Sequence, residues 1–344
     1  MTNGMPRGCD ICLKGAKLVI FVTGLCDRSC FYCPLSEKRR GLDVVYADEV
    51  PVAEDLDVIL EGRAIDAEGS GITGGDPLMK LGRTLKYIRL LKKTFGRSHH
   101  IHLYTNGKHA GADVLARLKE SGLDEIRFHP SKENWERIKL AKSLGMNAGA
   151  EIPAIPGEEG EVKEFVRYLA KVGADFLNIN QLEFCPQNAL QMKQKGFSLD
   201  AKTMAAVKGS EEAALAITKW ADLERIELPI HYCSSAVKDA VQTRRRFMRR
   251  SVNAARPYEE ILGDGLLGKF VVRLEGGDPK AVKCELEREL GLAPHLIGVS
   301  VKERTLEVPR LALERVRVLL PGCKVAYVQE YPTYARESFA EYPC

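Results

Sequence analysis

The segment from residue 17 to about residue 230 alternates between strand-like and helix-like runs, and this alternation limits the possible folds more than any other feature. Six runs of strand length are predicted as strands, over Lys17–Thr23, Ser70–Thr73, Ile101–Thr105, Glu125–His129, Asn147–Ile152 and Phe176–Glu183. The runs between them are predicted as helices, over Val52–Ala64, Leu78–Phe95, Ala112–Ser121, Trp135–Leu144 and Glu161–Val172. Strict alternation requires right-handed crossovers between parallel strands. The pattern predicts an α/β fold, either a (βα)6 partial TIM-type barrel or a doubly wound open sheet, with ligands at the carboxyl ends of the strands.

The C-terminal part of the chain has a different order of elements. A Gly263-Asp264-Gly265 stretch is predicted as a linker, and the sequence after it has the order βαββαβ, which is typical of a ferredoxin-like fold. A chain of 344 residues is long enough for two domains. We expect an N-terminal cysteine-containing segment (1–16), a partial barrel (17–235), a basic helical linker (236–262) and a small α+β ferredoxin-like domain (263–344).

Charge and hydropathy exclude several classes of protein. Lys and Arg number 51 against 47 Asp and Glu, and the net charge of +4 excludes a globally basic nucleic-acid coat protein, although not a local basic patch. No run approaches the ~18 apolar residues of a membrane helix. The first ten residues lack the apolar region of a signal peptide. We expect a cytoplasmic protein without a membrane partner.

The cysteines are unevenly distributed, with five of the ten in the first 33 residues. In a reducing compartment such clustering indicates a metal site rather than disulfides. Cys26, Cys30 and Cys33 form a C-x3-C-x2-C loop directly after the first predicted strand. Three thiolates at this spacing suit a 4Fe–4S cluster with one iron left open for a chelating substrate. A structural zinc site and three loose thiols are the alternatives, and zinc is disfavoured because its structural sites normally have four protein ligands.

With this motif, the chain resembles the radical S-adenosylmethionine (SAM) superfamily. The aromatic Tyr32 precedes the last cysteine, and Thr73-Gly74-Gly75-Asp76 is similar to the family's Gly-Gly-Glu stretch, with the shorter acid Asp76 in place of Glu. The resemblance implies that Tyr32 packs on the adenine of SAM, and that Asp76 and the glycine backbone hold its ammonium group. It covers residues 17–185. Within the superfamily, Ala154–Gly157 resembles the pyruvate formate-lyase activating branch, and the whole chain is similar to an archaeal group related to that activating enzyme.

Further strand ends are expected to line the same SAM site. The candidate residues are Thr105, Asn106, His129, Glu151 and Asn180. In the family that the chain resembles, these strand ends contact the ribose, the methionine carboxylate and the adenine. Each residue could equally cap a helix or satisfy a turn.

The resemblance implies cofactor chemistry. A 4Fe–4S cluster takes one electron from an external donor, such as a ferredoxin or flavodoxin, and cleaves SAM. The resulting 5′-deoxyadenosyl radical abstracts hydrogen from the substrate. No catalytic side chain beyond the cluster ligands is required for that step.

A second pair of cysteines, Cys9 and Cys12, has the C-x2-C spacing of a metal site and needs further ligands. Cys233, and less favourably Cys185, follow predicted strands and could complete a second Fe–S cluster or a zinc site. For this site to form, the N-terminal segment must fold along the open side of the barrel. The alternative is that these residues are ordinary buried thiols.

The segment Val237–Arg250 is predicted as a helix that is rich in arginine. The candidate substrate-binding residues are Arg244, Arg245, Arg246, Arg249 and Arg250. Because backbone phosphates of nucleic acids are bound mainly by Arg and Lys, this helix favours RNA as the substrate. A solvated helix face, an acidic protein and a phosphorylated small molecule are the alternatives.

The first functional prediction is a radical SAM enzyme that acts on a macromolecule, RNA in preference to protein. The alternatives are a radical SAM enzyme that acts on a small metabolite, an activase that forms a glycyl radical in a partner protein, and a non-enzymatic zinc or iron–sulfur binding module. The last is disfavoured because a structural metal module does not need a SAM site such as Thr73–Pro77.

Overall fold

The computed structural model describes residues 5–344 and divides along the chain into two compact units. The first consists of the residues up to Arg63 together with Ala67–Thr243, and the second of Ala64–Asp66 together with Arg244–Cys344. Among residues 5–344, no helix is both long and apolar enough to cross a membrane.

A nine-stranded sheet forms the centre of the first unit. Its strands are β1 (Lys17–Phe21), β2 (Tyr46–Ala47), β3 (Val50–Pro51), β4 (Gly69–Thr73), β5 (His100–Thr105), β6 (Glu125–Phe128), β7 (Asn147–Ala154), β8 (Leu177–Gln181) and β9 (Ile230–Cys233). The spatial order is β3-β2-β1-β4-β5-β6-β7-β8-β9. Strand β1 and strands β4 to β9 are parallel, whereas β2 and β3 pair in antiparallel fashion at one edge. Because the two edge strands do not pair, the barrel is partial and open.

Helices connect most of the parallel strands, with a helix before the first of them and another after the last. They are α1 (Arg7–Leu13), α2 (Asp55–Ala64), α3 (Leu81–Phe95), α4 (Ala112–Glu120), α5 (Glu136–Ser143), α6 (Glu159–Lys171), α7 (Ala189–Gln194), α8 (Ser210–Leu223) and α9 (Ser235–Val237), followed by a π-helical turn over Lys238–Thr243. In α3 the buried Leu85, Ile88 and Leu91 recur every three residues, which gives the helix one apolar face. Burial of each of these side chains stabilises the fold by about 1.5–3 kcal/mol.

The six predicted strands and five predicted helices are all present, with ends that shift by three residues or fewer. The parallel sheet contains a seventh strand, β9, which ends at Cys233, the residue that was expected to follow a strand. Its four residues Ile230-His231-Tyr232-Cys233 include a single aliphatic side chain, so the strand is only weakly marked in the sequence. Pairing with β8, with Leu177 opposite Ile230, gives this segment its extended conformation.

The second unit has the predicted ferredoxin-like topology. Its elements are α10 (Arg244–Ala254), β10 (Glu260–Ile261), β11 (Leu267–Arg273), α11 (Pro279–Leu290), β12 (Gly298–Ser300), β13 (Thr305–Val308), α12 (Leu313–Leu319), β14 (Lys324–Glu330) and β15 (Ser338–Pro343). The antiparallel order β12-β13-β11-β14 is extended by β15, and β10 pairs with β11. The core between sheet and helices contains Phe270, Val272, Leu286, Leu306 and Val316.

The segment over residues 236–262, predicted as a basic helical linker, is helical over most of its length. Helix α10 belongs to the second unit. Its Arg249 donates hydrogen bonds to the carbonyl oxygens of Ile65 and Asp66, and Arg250 donates to the carbonyl oxygen of Pro332 at 2.8 Å. These bonds hold the basic helix to its own unit, whereas the sequence shows only a run of charge.

Candidate active site

A cavity of about 670 Å³ lies at the carboxyl ends of the parallel strands. Its wall contains most of the residues predicted for the cluster and for SAM, namely Cys26, Cys30, Cys33, Tyr32, Thr73, Gly74, Gly75, Thr105, Asn106, His129, Glu151 and Asn180. The topology thus brings together residues from six strand ends, as the rule for parallel sheets requires.

The three motif cysteines lie on the loop after β1, and each is a free thiol. Cys26 is exposed, and Cys30 and Cys33 are half-buried. The backbone N–H of Cys33 donates to the carbonyl oxygen of Cys30 at 3.1 Å, which keeps the second half of the motif in a tight turn. Three reduced thiols in one cavity wall fit the donor set of a 4Fe–4S cluster with three protein ligands.

Gly74 and Gly75 allow the end of β4 to lie in backbone contact with the loop that leads to Cys26. The N–H of Gly75 donates to the carbonyl oxygen of Thr23 at 2.7 Å. A Cβ atom on Gly75 would lie 2.2 Å from the carbonyl oxygen of Leu25, and one on Gly74 would lie 2.4 Å from that of Thr23. The paired glycines are therefore required by the close approach of two backbones, and they set the position of the cysteine loop.

Asp76 has its carboxylate behind the cavity wall. The residue is 0% exposed. Its oxygens accept hydrogen bonds from the backbone N–H groups of Leu78 and Asn106, each at 2.9 Å, and from the Thr105 hydroxyl at 2.9 and 3.1 Å. Through these bonds the Asp76 carboxylate connects the ends of β4 and β5. A direct contact of Asp76 with the SAM ammonium stays a prediction.

Thr105 and Asn106 line the cavity, but their side chains are engaged in local hydrogen bonds. The Thr105 hydroxyl bonds to Asp76 and accepts from the N–H of Gly107 at 3.1 Å. The Asn106 amide donates to Asp27 at 2.8 Å, and its oxygen accepts from the N–H of Lys108 at 2.8 Å. These bonds are of the local kind that was the alternative for both residues, and their contact with SAM stays a prediction.

His129 connects the cysteine loop to β7. Its Nδ1 lies 3.0 Å from the carbonyl oxygen of Glu151, so Nδ1 carries the proton and donates it. Its Nε2 then accepts from the Tyr32 hydroxyl at 2.7 Å. Burial, reinforced by the neighbouring Arg28, lowers the pKa of His129 to about 4. The imidazole is therefore neutral near pH 7 and fixes the orientation of the Tyr32 ring.

Glu151 is ionised and paired. One carboxylate oxygen accepts from Arg127 at 2.7 Å and the other from Asn180 at 2.8 Å. Burial opposes ionisation, but Arg127 and Asn180 outweigh it and lower the pKa of Glu151. The predicted residues Glu151 and Asn180 thus form one hydrogen-bonded pair on the cavity wall, and the buried Arg127 neutralises its charge.

Sequence reasoning missed three site residues. Arg127 and Lys17 lie on strands predicted from their apolar neighbours, and Lys17 lines the cavity. Asp27 lies inside the cysteine motif and accepts from Asn106, and it also pairs with Lys108 at 3.0 Å. A charged residue within a buried strand is the signal that would have identified Lys17 and Arg127.

The second group of cysteines comes together only in part. The Cys12 thiol donates to the side-chain oxygen of Gln242 at 3.1 Å, and the Gln242 amide lies 3.5 Å from the sulfur of Cys233. Cys9 is buried one turn earlier on α1, where its sulfur accepts from Arg127 at 3.3 Å, and burial raises its thiol pKa to about 11. A second metal site at Cys9, Cys12 and Cys233 stays a prediction, as does the weaker candidate Cys185.

The arginines of α10 are largely engaged within the second unit. Arg244 donates to the carbonyl oxygen of Gly263 at 2.7 Å, in addition to the carbonyl contacts of Arg249 and Arg250 described above. Arg250 is only 8% exposed. The guanidinium of Arg246 lies 5.5 Å from the ring centroid of Phe247. Structural contacts thus account for much of the charge run on which the RNA prediction depended.

The family described as the Radical SAM superfamily matches residues 20–169. A relative from Methanocaldococcus jannaschii, named as a glycyl-radical enzyme activating enzyme, is 37% identical over 342 residues. That alignment covers 96% of this chain and 90% of the relative.

Two solved structures match this chain with TM-scores below 0.5. SuiB of Streptococcus suis bound to the precursor peptide SuiA matches with 14% identity and a TM-score of 0.49, over 65% of this chain and 50% of that chain. Native anSMEcpe with bound AdoMet and a Cp18Cys peptide matches with 15% identity and a TM-score of 0.44, over 62% of each chain.

Proposed function

From the premise that this chain belongs to the radical SAM superfamily, we propose that it activates a glycyl-radical enzyme. Membership of the family makes the chain a radical SAM enzyme whose cofactors are a 4Fe–4S cluster and SAM. The proposal concerns the substrate, a backbone glycine of a partner protein. The observation that carries it is the relative named as an activating enzyme, which aligns with 96% of this chain at 37% identity.

Once bound, the cluster and SAM supply a 5′-deoxyadenosyl radical that removes a hydrogen atom from the substrate. The chain's own residues provide the setting for that step. Cys26, Cys30 and Cys33 would hold three irons of the cluster. Gly74 and Gly75 hold the cysteine loop against β4, and Tyr32, oriented by His129, is positioned as an aromatic surface for the adenine.

Asp76 acts in this proposal as a positioning residue. Its contacts with Leu78, Thr105 and Asn106 fix the ends of β4 and β5, which form part of the wall that SAM would contact. The backbone of Gly74 and Gly75 would then present polar atoms to the amino acid moiety of SAM. In this proposal Asp76 stabilises the cavity wall without contacting SAM, and this role is compatible with membership of the family.

The charges of the cavity suit a radical reaction. Glu151 is paired with Arg127, and Glu183 pairs with Lys238 at 2.9 Å. His129 is neutral and uses both ring nitrogens in hydrogen bonds. Removal of a hydrogen atom from a glycine Cα needs no general base. These pairs therefore accord with a protein that orients a C–H bond and excludes water rather than one that transfers protons.

RNA and a small metabolite are the competing substrates, and one experiment separates them. An anaerobic extract of the source organism is added to the reconstituted enzyme with SAM and a reductant, and the formation of 5′-deoxyadenosine is measured. We expect the extract to stimulate this reaction, and trypsin treatment of the extract to abolish the stimulation.

Matched treatments of the same extract serve as controls. Ribonuclease treatment and removal of small molecules by filtration should both leave the stimulation unchanged. Loss of stimulation after ribonuclease would establish an RNA substrate. Stimulation that passes a small-molecule filter would establish a metabolite, and either result would overturn the activase proposal.

A further inference from the structure

The interior of the barrel contains a second group of candidate metal ligands, away from the cysteine loop. His100 is the first residue of β5 and Glu125 is the first residue of β6, so both lie at the amino end of the sheet. His102 pairs in register with Glu125. The side chains of His100, His102 and Glu125, here termed the interior triad, are all buried, and one ligand atom of each lies within 4.8 Å of the others.

Each member of the interior triad has a polar atom without a hydrogen-bond partner. These atoms are His100 Nε2, His102 Nδ1 and Glu125 Oε2, and all three are buried. His100 Nε2 and Glu125 Oε2 lie 3.6 Å apart, which is an ion-pair distance when His100 is protonated but is too long for a hydrogen bond. A buried polar atom left unpaired costs about 1–3 kcal/mol, so three such atoms at one point indicate that a bound group completes them. Two imidazole nitrogens and a carboxylate oxygen are ligands that zinc and similar divalent transition metals prefer.

The atoms around the interior triad are arranged to support a metal. His102 Nε2 lies 3.2 Å from the Tyr104 hydroxyl, and a bond donated from Nε2–H to this oxygen leaves the Nδ1 lone pair free for coordination. The second oxygen of Glu125 accepts from Arg127 Nε at 2.6 Å, which fixes the carboxylate. His102 and Glu125 therefore each have an outer hydrogen bond of the kind that orients metal ligands.

Gly8 of α1 covers this part of the interior. A Cβ atom on Gly8 would lie 2.6 Å from His102 Nδ1 and 2.6 Å from Arg127 Nη2, so a glycine is needed here. Arg127 Nη2 is itself buried without a partner. A hydroxide in the open position of a three-ligand metal site would accept a bond from this nitrogen. The negative charges of this hydroxide and of the Glu125 carboxylate would together balance the two positive charges of the ion.

We infer that the interior triad binds one divalent transition-metal ion of the zinc type, beneath α1 and separate from the 4Fe–4S cluster. The inference does not depend on the proposed substrate. It also differs from the predicted site at Cys9, Cys12 and Cys233, because the ligands are nitrogen and oxygen rather than sulfur.

The test uses the full-length chain with Cys26, Cys30 and Cys33 changed to alanine, so that iron from the cluster does not interfere. The metal-free protein is titrated with Zn²⁺, and bound metal is counted after dialysis. We expect about one zinc per chain, with affinity lowered roughly tenfold or more by His102→Ala or Glu125→Gln. The matched control is His99→Ala, since His99 is buried beside the triad but bonds to Ser70 at 2.8 Å.

X-ray absorption of the zinc-loaded protein keeps the test decisive even if a triad variant fails to fold. We expect nitrogen and oxygen neighbours at about 2.0–2.1 Å and no sulfur neighbour at about 2.3 Å. A sulfur neighbour would assign the metal to the cysteines of α1 and β9 and overturn the inference. So would the absence of bound zinc, or an equal loss of affinity in the His99 variant.

Discussion

Replacement of Asp76 by alanine separates a structural role for this acid from a direct role in SAM binding. The buried carboxylate accepts from two backbone N–H groups and from the Thr105 hydroxyl. The substitution leaves these three donors buried without an acceptor, at about 1–3 kcal/mol each. Since the carboxylate's own burial is also relieved, we expect the free energy of unfolding to fall by about 3–6 kcal/mol. That is a large part of the 5–15 kcal/mol typical of a folded protein.

The assay is denaturant unfolding of the cluster-free protein, followed by circular dichroism in the absence of SAM. Asp76→Asn keeps one acceptor oxygen, and its loss of stability should be about 1–3 kcal/mol. The matched control is Asp57→Ala, because the half-buried Asp57 also accepts from two backbone N–H groups, those of Ala53 and Glu54, through bonds that are exposed to solvent. Its effect should be much smaller than that of Asp76→Ala, since water replaces the lost acceptor.

One pattern of results would refute this reasoning. Asp76→Ala protein with native stability and weakened SAM binding would show that the carboxylate contacts the SAM ammonium directly. The placement behind the cavity wall would then be wrong for the loaded enzyme.

Three further predictions follow from the site. Cys30→Ala should abolish 5′-deoxyadenosine formation without changing the unfolding transition. Cys284→Ala, which changes an exposed thiol of the second unit, should change neither property. Cleavage of SAM at the native rate by the Cys30 variant would show that Cys30 is not a cluster ligand. Gly75→Ala should destabilise the fold, because the new Cβ would lie 2.2 Å from a carbonyl oxygen. Gly160→Ala in α6 has open space around the new Cβ and should stabilise the fold by up to about 1 kcal/mol. Equal unfolding midpoints for the two variants would contradict the close backbone contact at Gly75. Stability should fall as the pH drops from 6.5 to about 4. Burial and Arg28 lower the pKa of His129 in the folded protein to about 4, so the unfolded chain binds the proton first. His129→Asn should flatten this part of the stability–pH profile, and an unchanged profile would contradict a neutral imidazole.

The sequence was sufficient to predict the parallel strands and the location of the site. Apolar runs with regular breaks identify the six buried strands, and the C-x3-C-x2-C spacing identifies the cluster loop, because both signals are local in sequence. Parallel strands then place Tyr32, His129, Glu151 and Asn180 in one cavity without knowledge of the side-chain contacts.

The roles of individual polar residues were less predictable. The carboxylate of Asp76 turns inward because Thr105 and Asn106, which come from another strand, provide its donors. Such contacts depend on the register of β4 and β5, which the sequence does not specify. The arginines of α10 were similarly predicted from charge alone, while their carbonyl partners come from distant segments such as Asp66 and Pro332.

The seventh strand and the interior triad illustrate the same limit. Strand β9 is only four residues long, and its extended conformation depends on its pairing with β8. His100, His102 and Glu125 are far apart in sequence from any recognisable metal motif. Only the pairing of β5 with β6 places them together.

The most direct test of the central claim follows the hydrogen atom from the substrate. Cells of the source organism are grown with glycine deuterated at Cα, and the protein fraction of their extract is incubated anaerobically with the enzyme, SAM and a reductant. We expect 5′-deoxyadenosine that carries deuterium, together with the electron paramagnetic resonance signal of a glycyl radical in the protein fraction. This signal should be a doublet in unlabelled protein and should narrow in labelled protein, because the hydrogen that remains on Cα is then deuterium. Unlabelled 5′-deoxyadenosine and no protein radical, under conditions in which the enzyme cleaves SAM, would contradict it.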